Sequence, residues 1–521
     1  MASLRKKTFT FDLVSPSQYQ RGGVYEDAAF SDQPRGTTRF AMNFRPFCAK
    51  TGLRRLSRRS GMTQFASLTG RVQNLNHVFT GHAVTEADTK GREMHIAGVS
   101  GGVIRKIAST GTVTASAGQT LSATAPVVFS APYGEYLFYV DGTRIVRWNP
   151  ATNTSQDLVT HLGITGAPTD VRLVATWRGR LVVVSETNWF MSAVNDPLDW
   201  DYGPVPATAT QAVAGNTAPA GQVPDVVTTI IPLSDDKLLF GCDHSLYVMR
   251  GDPAAGGRID LFEGDVGMSF GAPWCRDSLG GIYFYGSRGG VFYMNPGTFA
   301  ISRISEGVES RLRDVPGETT LVRLAYNDRE QGVHVFFSGV ASGSGNTHLF
   351  YDVRTRTWWL DSIGPGAMDV VSPHTVDGDG ATDRLLLMGD SSGSVLTWNP
   401  DVETDNGNYF PWQCWFGPIS YDNGRHGIID EVEAVFGEQN CRCNWDFHTG
   451  ETAEQAWSSQ SRVAGIWQGR DRFIDRYRLS GNYLFLKISN RTQAIGSDYV
   501  TLENLRVVMR ESGQPSYRLR R

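Results

Sequence analysis

IYFYGSRGGVFYMNPGTFAISRIS, residues Ile282 to Ser305, reads as three strands and two turns. Ile282 to Tyr285 is apolar and aromatic, and Gly286 to Gly290 supplies the positive φ angles of a tight hairpin. Val291 to Met294 forms the second strand, closed by Asn295-Pro296-Gly297, a turn that forbids further ladder pairing. Phe299 to Ile304 then alternates apolar and polar residues, the pattern of a half-buried third strand.

The same pattern recurs along the chain. YLFYVDGTRIVRWNP (Tyr136–Pro150), LLFGCDHSLYVMRGD (Leu238–Asp252) and LLLMGDSSGSVLTWNP (Leu385–Pro400) repeat it closely. Leu181–Trp200 and His334–Leu360 repeat it with longer turns, and Met94–Val113 repeats it more loosely. Turn centres fall near residues 101, 141, 187, 243, 288, 340 and 391. All-strand units at about 40–50 residues are the spacing of propeller blades. One such sheet cannot bury both faces alone, so neighbours must stack around an axis. The expected fold is an all-β propeller of six or seven blades; an irregular pile of β-sandwich hairpins is the alternative.

Composition agrees. The 521 residues include 57 glycines and 23 prolines, as a turn-dense β protein requires, and no long window keeps helical spacing of apolar residues. No apolar run approaches the roughly 20 residues of a membrane helix, and the N-terminus has no apolar core of signal-peptide length. Six cysteines, Cys48, Cys242, Cys275, Cys414, Cys441 and Cys443, form no secreted disulfide pattern, so folding in a reducing cytosol is expected.

Three segments follow from these patterns: an N-terminal arm and basic segment over 1–69, the propeller over 70–405, and a C-terminal β-sandwich-like domain with a short tail over 406–521. In the last, IDEVEAVF, YLFLKIS and YVTLENLRVVM alternate as strands. The stretch 205–225, VPATATQAVAGNTAPAGQVPD, reads as a long mobile loop between blades.

Net charge is −4, which excludes a bulk electrostatic nucleic-acid binder. Locally the picture differs. Pro34 to Thr85 holds no acidic residue and nine cationic ones, densest in TGLRRLSRRSG, Thr51 to Gly61. Arg54, Arg55, Arg58 and Arg59 thus form a candidate strip for contact with a neighbouring protein subunit or with DNA phosphates. No aromatic residues interleave them for base stacking.

Catalytic and metal signatures are weak. Cys414, Cys441, Cys443 and His448 could in principle make a zinc site, but a Cys-x-Cys pair departs from the usual ligand spacing, and no metal is expected. DGDGATD, Asp377 to Asp383, lacks the pattern of a calcium loop. GMSFG, Gly267 to Gly271, matches the nucleophile elbow in letters, but Ala272-Pro273-Trp274 cannot start the helix that the elbow needs. Neither a phosphate loop nor a dinucleotide fingerprint is present, so no cofactor and no enzymatic activity is expected.

Three stretches carry a resemblance: Asn43–Phe65 with its arginine-rich run, Gly264–Gly297 followed by the ISEGVE turn of Ile304 to Glu309, and Leu349–Leu360. Together with the late SGNYLFLKIS and YVTLENLRVVM, the chain resembles the tail nozzle, or tail tubular B, proteins of short-tailed bacteriophages. The resemblance implies a virion structural protein made in the host bacterial cytoplasm. It implies a homohexameric ring below the head-to-tail adaptor, near tail fibres or spikes, that retains genomic double-stranded DNA and opens for ejection without sequence-specific binding. In such a ring the basic strip is expected to face protein, since phosphate-gripping arginines along a conduit would retard DNA. Propellers also host other work. A soluble binding scaffold is the alternative, and a propeller glycosidase or lyase a further one.

Overall fold

The computed structural model describes residues 6–13, 22–83, 91–313, 315, 319–339, 348–363, 369–378, 384–421, 426–437, 442–469, 472–476, 478–490 and 500–512. The chain is all-β, with only short helices such as Glu309–Arg313 and Ala453–Ser458 among the described residues.

Seven successive sheets, each with an antiparallel four-stranded meander or its equivalent at its heart, build the propeller. Their inner strands are Val72–Gly81, Phe129–Tyr133, Leu173–Trp177, Val227–Ser234, Trp274–Arg276, Thr320–Asn327 and Val370–Asp377, here blades 1 to 7. The recurring hairpin of the sequence is in each case the second and third strand of a blade. Tyr136–Val140 and Ile145–Asn149 form it in blade 2, and Ile282–Tyr285 and Val291–Met294 in blade 5. In blade 6 the corresponding turn, near 340, lies outside the described residues.

Side chains explain why the hairpins recur. Asp141 accepts from the backbone N–H of Thr143 and Arg144, and Asp390 from those of Ser392, Gly393 and Ser394. These aspartates supply acceptors that the turn backbone would otherwise lack. After the third strand, Asn149, Asn295 and Asn399 each accept from the N–H two residues on, and a proline follows each of them. The Asn-Pro pair is thus a repeated device that ends the strand and turns the chain.

Apolar faces meet between blades, and the clusters run around the ring. Val99 and Ile104 of blade 1 pack with Val128 and Tyr139 of blade 2. Val182 and Trp189 of blade 3 pack with Leu238 and Phe240 of blade 4, which in turn shares Leu239 and Val248 with Ile282 and Phe284 of blade 5. Leu75 and Ile96 of blade 1 meet Val376 and Leu387 of blade 7, which closes the circle. The closing strand comes from the N-terminal segment: Gly61–Ser67 pairs with Ser394–Asn399 as the outer strand of blade 7.

Blade 6 extends beyond the propeller. Its outer strand, Thr357–Asp361, bridges to Ala41–Met42, and the sheet continues through Gln413–Ile419, Tyr483–Ser489, Arg442–Gly450 and Val463–Gln468. A second sheet, built on Gly427–Phe436 and Thr501–Glu511, takes in Lys6–Thr10, Phe44–Phe47 and Arg54–Arg58. Residues of both sheets share one core with Tyr283, Tyr285 and Phe337 of blades 5 and 6.

Two expectations are corrected. The described part of 1–69 is not an arm lying apart, because the strands Arg54–Arg58 and Gly61–Ser67 are interior members of two sheets and Phe44–Phe47 forms the edge of one of them. The stretch 205–225 is not a free excursion. Val213–Ala214 is the outer strand of blade 3, and Trp189 Nε1 donates to the Gly221 carbonyl at 3.0 Å, so the small residues fit beneath an indole.

Candidate functional site

The inner strands of a propeller present their free edges to the axis, where unpaired backbone groups need partners. Here side chains from neighbouring blades supply them. Asn74 Nδ2 donates to the Val128 carbonyl at 2.8 Å, Thr176 Oγ1 to Pro132 at 2.6 Å, and Arg276 Nη2 to Pro232 at 2.7 Å. Ser372 Oγ accepts from the Leu75 N–H at 2.8 Å.

Between blades 2 and 5 the wall leaves a cavity of about 330 Å³, lined by Phe129 to Pro132, Leu173 to Thr176, Thr229, Ile230, Pro232, Ala272 and Trp274. Its walls are small, apolar and hydroxyl-bearing. Across all seven inner strands the single carboxylate is Asp377, at the end of blade 7's strand, whereas Arg276 and Arg323 are both cationic. The wall therefore offers donors and positive charge but no facing pair of carboxylates, which most glycoside hydrolysis uses.

Arg323 stands out. It is 7% exposed in the middle of blade 6's inner strand. Its Nε donates to the Val371 carbonyl at 3.1 Å, its Nη1 donates to the Gly271 carbonyl, and its guanidinium lies 5.6 Å from the Phe129 ring centroid. Burial, and then the nearby cation Arg71, push its pKa down to about 9. A charge in the middle of TLVRLAYN, an otherwise apolar strand, was the sequence signal for it. Across the seam of blades 7 and 1, His77 Nδ1 and His374 Nε2 are 2.8 Å apart. Burial, and then His77, push the His374 pKa down to about 3.

The arginine strip is distributed inward. Arg59 is fully buried and Arg58 is 3% exposed, so neither presents itself to a partner. Arg59 binds Asp405, and Arg58 reaches Glu403 at 3.1 Å, both carboxylates of this same chain. Arg55 meets Glu503 at 2.9 Å on the rim of the second sheet, and Arg54 is exposed. As a contact strip for a neighbour, the group of four is corrected at Arg58 and Arg59: lying near acid-free sequence, they pair with acids that the fold brings from far along the chain.

Behind the strip lies a second buried ion pair. Arg45 forks onto Asp361 with two bonds of 2.7 Å and reaches Glu330 at 2.9 Å, and Ser60 Oγ donates to the other Glu330 oxygen at 3.0 Å. Sequence reading missed these acids, since nothing local marks them.

No group of three or more potential metal ligands occurs among the described residues. Cys414 and Cys443 are buried strand residues, and Cys441 lies outside the described residues, as does most of Asp377 to Asp383. Ser269 of GMSFG donates to the Gly286 carbonyl at 3.3 Å, and the chain then enters the strand Trp274–Arg276 rather than a helix.

No family model and no curated protein matches the sequence. Among solved structures, the extracellular domains of two hybrid two-component systems from B. thetaiotaomicron are similar, each at a TM-score of 0.44. Identities are 12% and 10% over 74% and 81% of this chain, which spans 45% and 49% of the length of those proteins. Virginiamycin B lyase from Staphylococcus aureus is similar at a TM-score of 0.39 and 9% identity, over 62% of this chain and 98% of that one.

Proposed function

We propose that this propeller is a structural protein of a short-tailed phage virion, a nozzle subunit that assembles as a ring below the adaptor and conducts the genome. One observation carries the reading beyond soft sequence likeness. The stretches that resemble tail nozzle proteins contribute to one contiguous core: Phe44 and Leu56, Tyr283, Tyr285 and Val291, Val308, Tyr351 and Trp358, Leu484 and Leu486, Val507 and Met509. The inner strands, nearly free of carboxylates, support a mechanical role in this reading.

Antibody-gold electron microscopy on phage particles from the source culture tests it. Label at the distal tip of a short tail is the expected result, and particles lacking the protein would overturn the reading. The cavity between blades 2 and 5 favours a second reading, a soluble propeller scaffold that binds a ligand in its channel. A monodisperse monomer under all assembly conditions would shift the balance to it.

A further inference from the structure

Burying a guanidinium away from water is expensive unless an opposite charge accompanies it. The other deeply buried arginines obey this rule. Arg45 has Asp361 and Glu330, Arg58 has Glu403, Arg59 has Asp405 and Arg180 has Asp252. Arg323 does not. Its hydrogen bonds run to the neutral carbonyls of Val371 and Gly271, and the charged group that acts on it is another cation, Arg71. No carboxylate approaches it among the described residues.

Position adds to the anomaly. Val371 and Gly271 lie at the start of blade 7's inner strand and just before that of blade 5, so Arg323 sits toward the mouth where the inner strands begin. Arg71 is held at the same mouth, donating to the carbonyls of Pro126 at 3.2 Å and of Gly339 at 3.1 Å. Asp369 acts on Arg71, so the net excess of positive charge rests with Arg323. Phe129, whose ring faces the Arg323 guanidinium, also lines the 330 Å³ cavity, and Ala272, next to Gly271, lines it too. The exposed Phe270 packs edge-on against Phe129 at 5.6 Å.

We propose that Arg323, seconded by Arg71, is the anchor of an anion-binding site at this mouth of the propeller channel, and that its ligand is a small phosphomonoester. The remaining guanidinium N–H groups grip the phosphate oxygens as a planar fork. The organic part lies toward Phe129, Trp274 and the small apolar wall of the cavity. The site stands whether or not the protein belongs to a virion.

Titration calorimetry and thermal melting of the full chain with inorganic phosphate, phenyl phosphate and benzoate test it, at ionic strength matched with sodium chloride. Phenyl phosphate should bind and raise the melting temperature, with inorganic phosphate weaker. Arg323→Met should fold, with a melting temperature equal to or above that of the parent without ligand, because it removes an uncompensated buried charge. It should bind phenyl phosphate at least tenfold more weakly, and Arg71→Gln should weaken binding by a smaller factor. Absence of binding to the parent chain would overturn the proposal, as would equal binding by Arg323→Met. Tighter binding of benzoate than of phenyl phosphate would overturn the ligand class.

Discussion

Arg59 and Asp405 are joined by two hydrogen bonds, Nη1 to Oδ1 at 2.9 Å and Nη2 to Oδ2 at 2.5 Å, with neither side chain exposed to solvent. Arg59 also donates to Asn43 Oδ1 and to the Ser362 carbonyl, and its guanidinium lies 3.8 Å from the Phe410 ring centroid. One side chain thereby ties the start of the ring-closing strand to the segment after blade 6 and to the first strands of the C-terminal sheets.

Removing one partner of such a pair leaves a buried charge unanswered. Arg59→Ala is expected to destabilise the chain by about 3–5 kcal/mol, whereas Arg59→Met combined with Asp405→Leu should recover most of that loss. Urea unfolding of the two variants beside the parent checks it. Equal destabilisation by the single and double changes would mean that the pair's packing, not its charge, matters.

Gly61 opens the strand that closes the ring. A Cβ placed there would sit 2.5 Å from the Thr404 carbonyl oxygen and 2.7 Å from that of Val402, both backbone atoms that cannot swing aside. Gly61→Ala should therefore lower stability by about 1–3 kcal/mol, as overpacking does. It should also open blade 7 first. Hydrogen exchange would show faster exchange at Gly61–Ser67 and Ser394–Asn399 than at blade 3, and uniform exchange would contradict the closing role.

The sequence was legible where structure is local. Hairpins declare themselves within about 15 residues, because Asp141, Asp390 and the Asn-Pro turns act on backbone groups two to four positions away. Long-range pairing left no such mark. Arg45 and Arg59 find Asp361 and Asp405 only after the whole propeller has wound, so a run of arginines without acids looked like an open basic strip. The stretch 205–225 misled for another reason. Its alanines and glycines suggest mobility, yet those small residues are what allow a chain to lie against Trp189.

Thiol chemistry offers a further check. Cys48, Cys242, Cys275, Cys414 and Cys443 are all buried, and burial pushes the thiols of Cys242, Cys275 and Cys414 up, disfavouring the thiolate that reacts. Native protein should therefore show at most one thiol per chain reactive toward Ellman's reagent, against six after denaturation. Two or more fast thiols in the native state would place one of these five at the surface.

Acid should unfold the protein in two stages, because two kinds of buried group titrate in different windows. His374 has its folded pKa pushed down to about 3, against an ordinary value near 6.5, by burial and by His77. Between those values the unfolded chain binds a proton that the folded chain refuses, so stability falls as pH drops through this window. The slope should be on the order of 1 kcal/mol per pH unit. Asp361 and Glu330 titrate lower. Burial works against their charge, but Arg45, together with His334, holds both carboxyls below the usual range. Their contribution is intact above the ordinary carboxylate pKa and is lost as pH falls below it. Urea midpoints measured from pH 7.5 down to 3 should decline gently below 6.5 and steeply below about 4. His374→Asn should make the upper limb shallower without flattening it, because burial also lowers the pKa of His77, His95 and His334, and Asp361→Asn should act mainly on the lower limb. A parent profile flat down to pH 4 would mean that the two histidines are solvated, not held neutral against each other across the seam of blades 7 and 1.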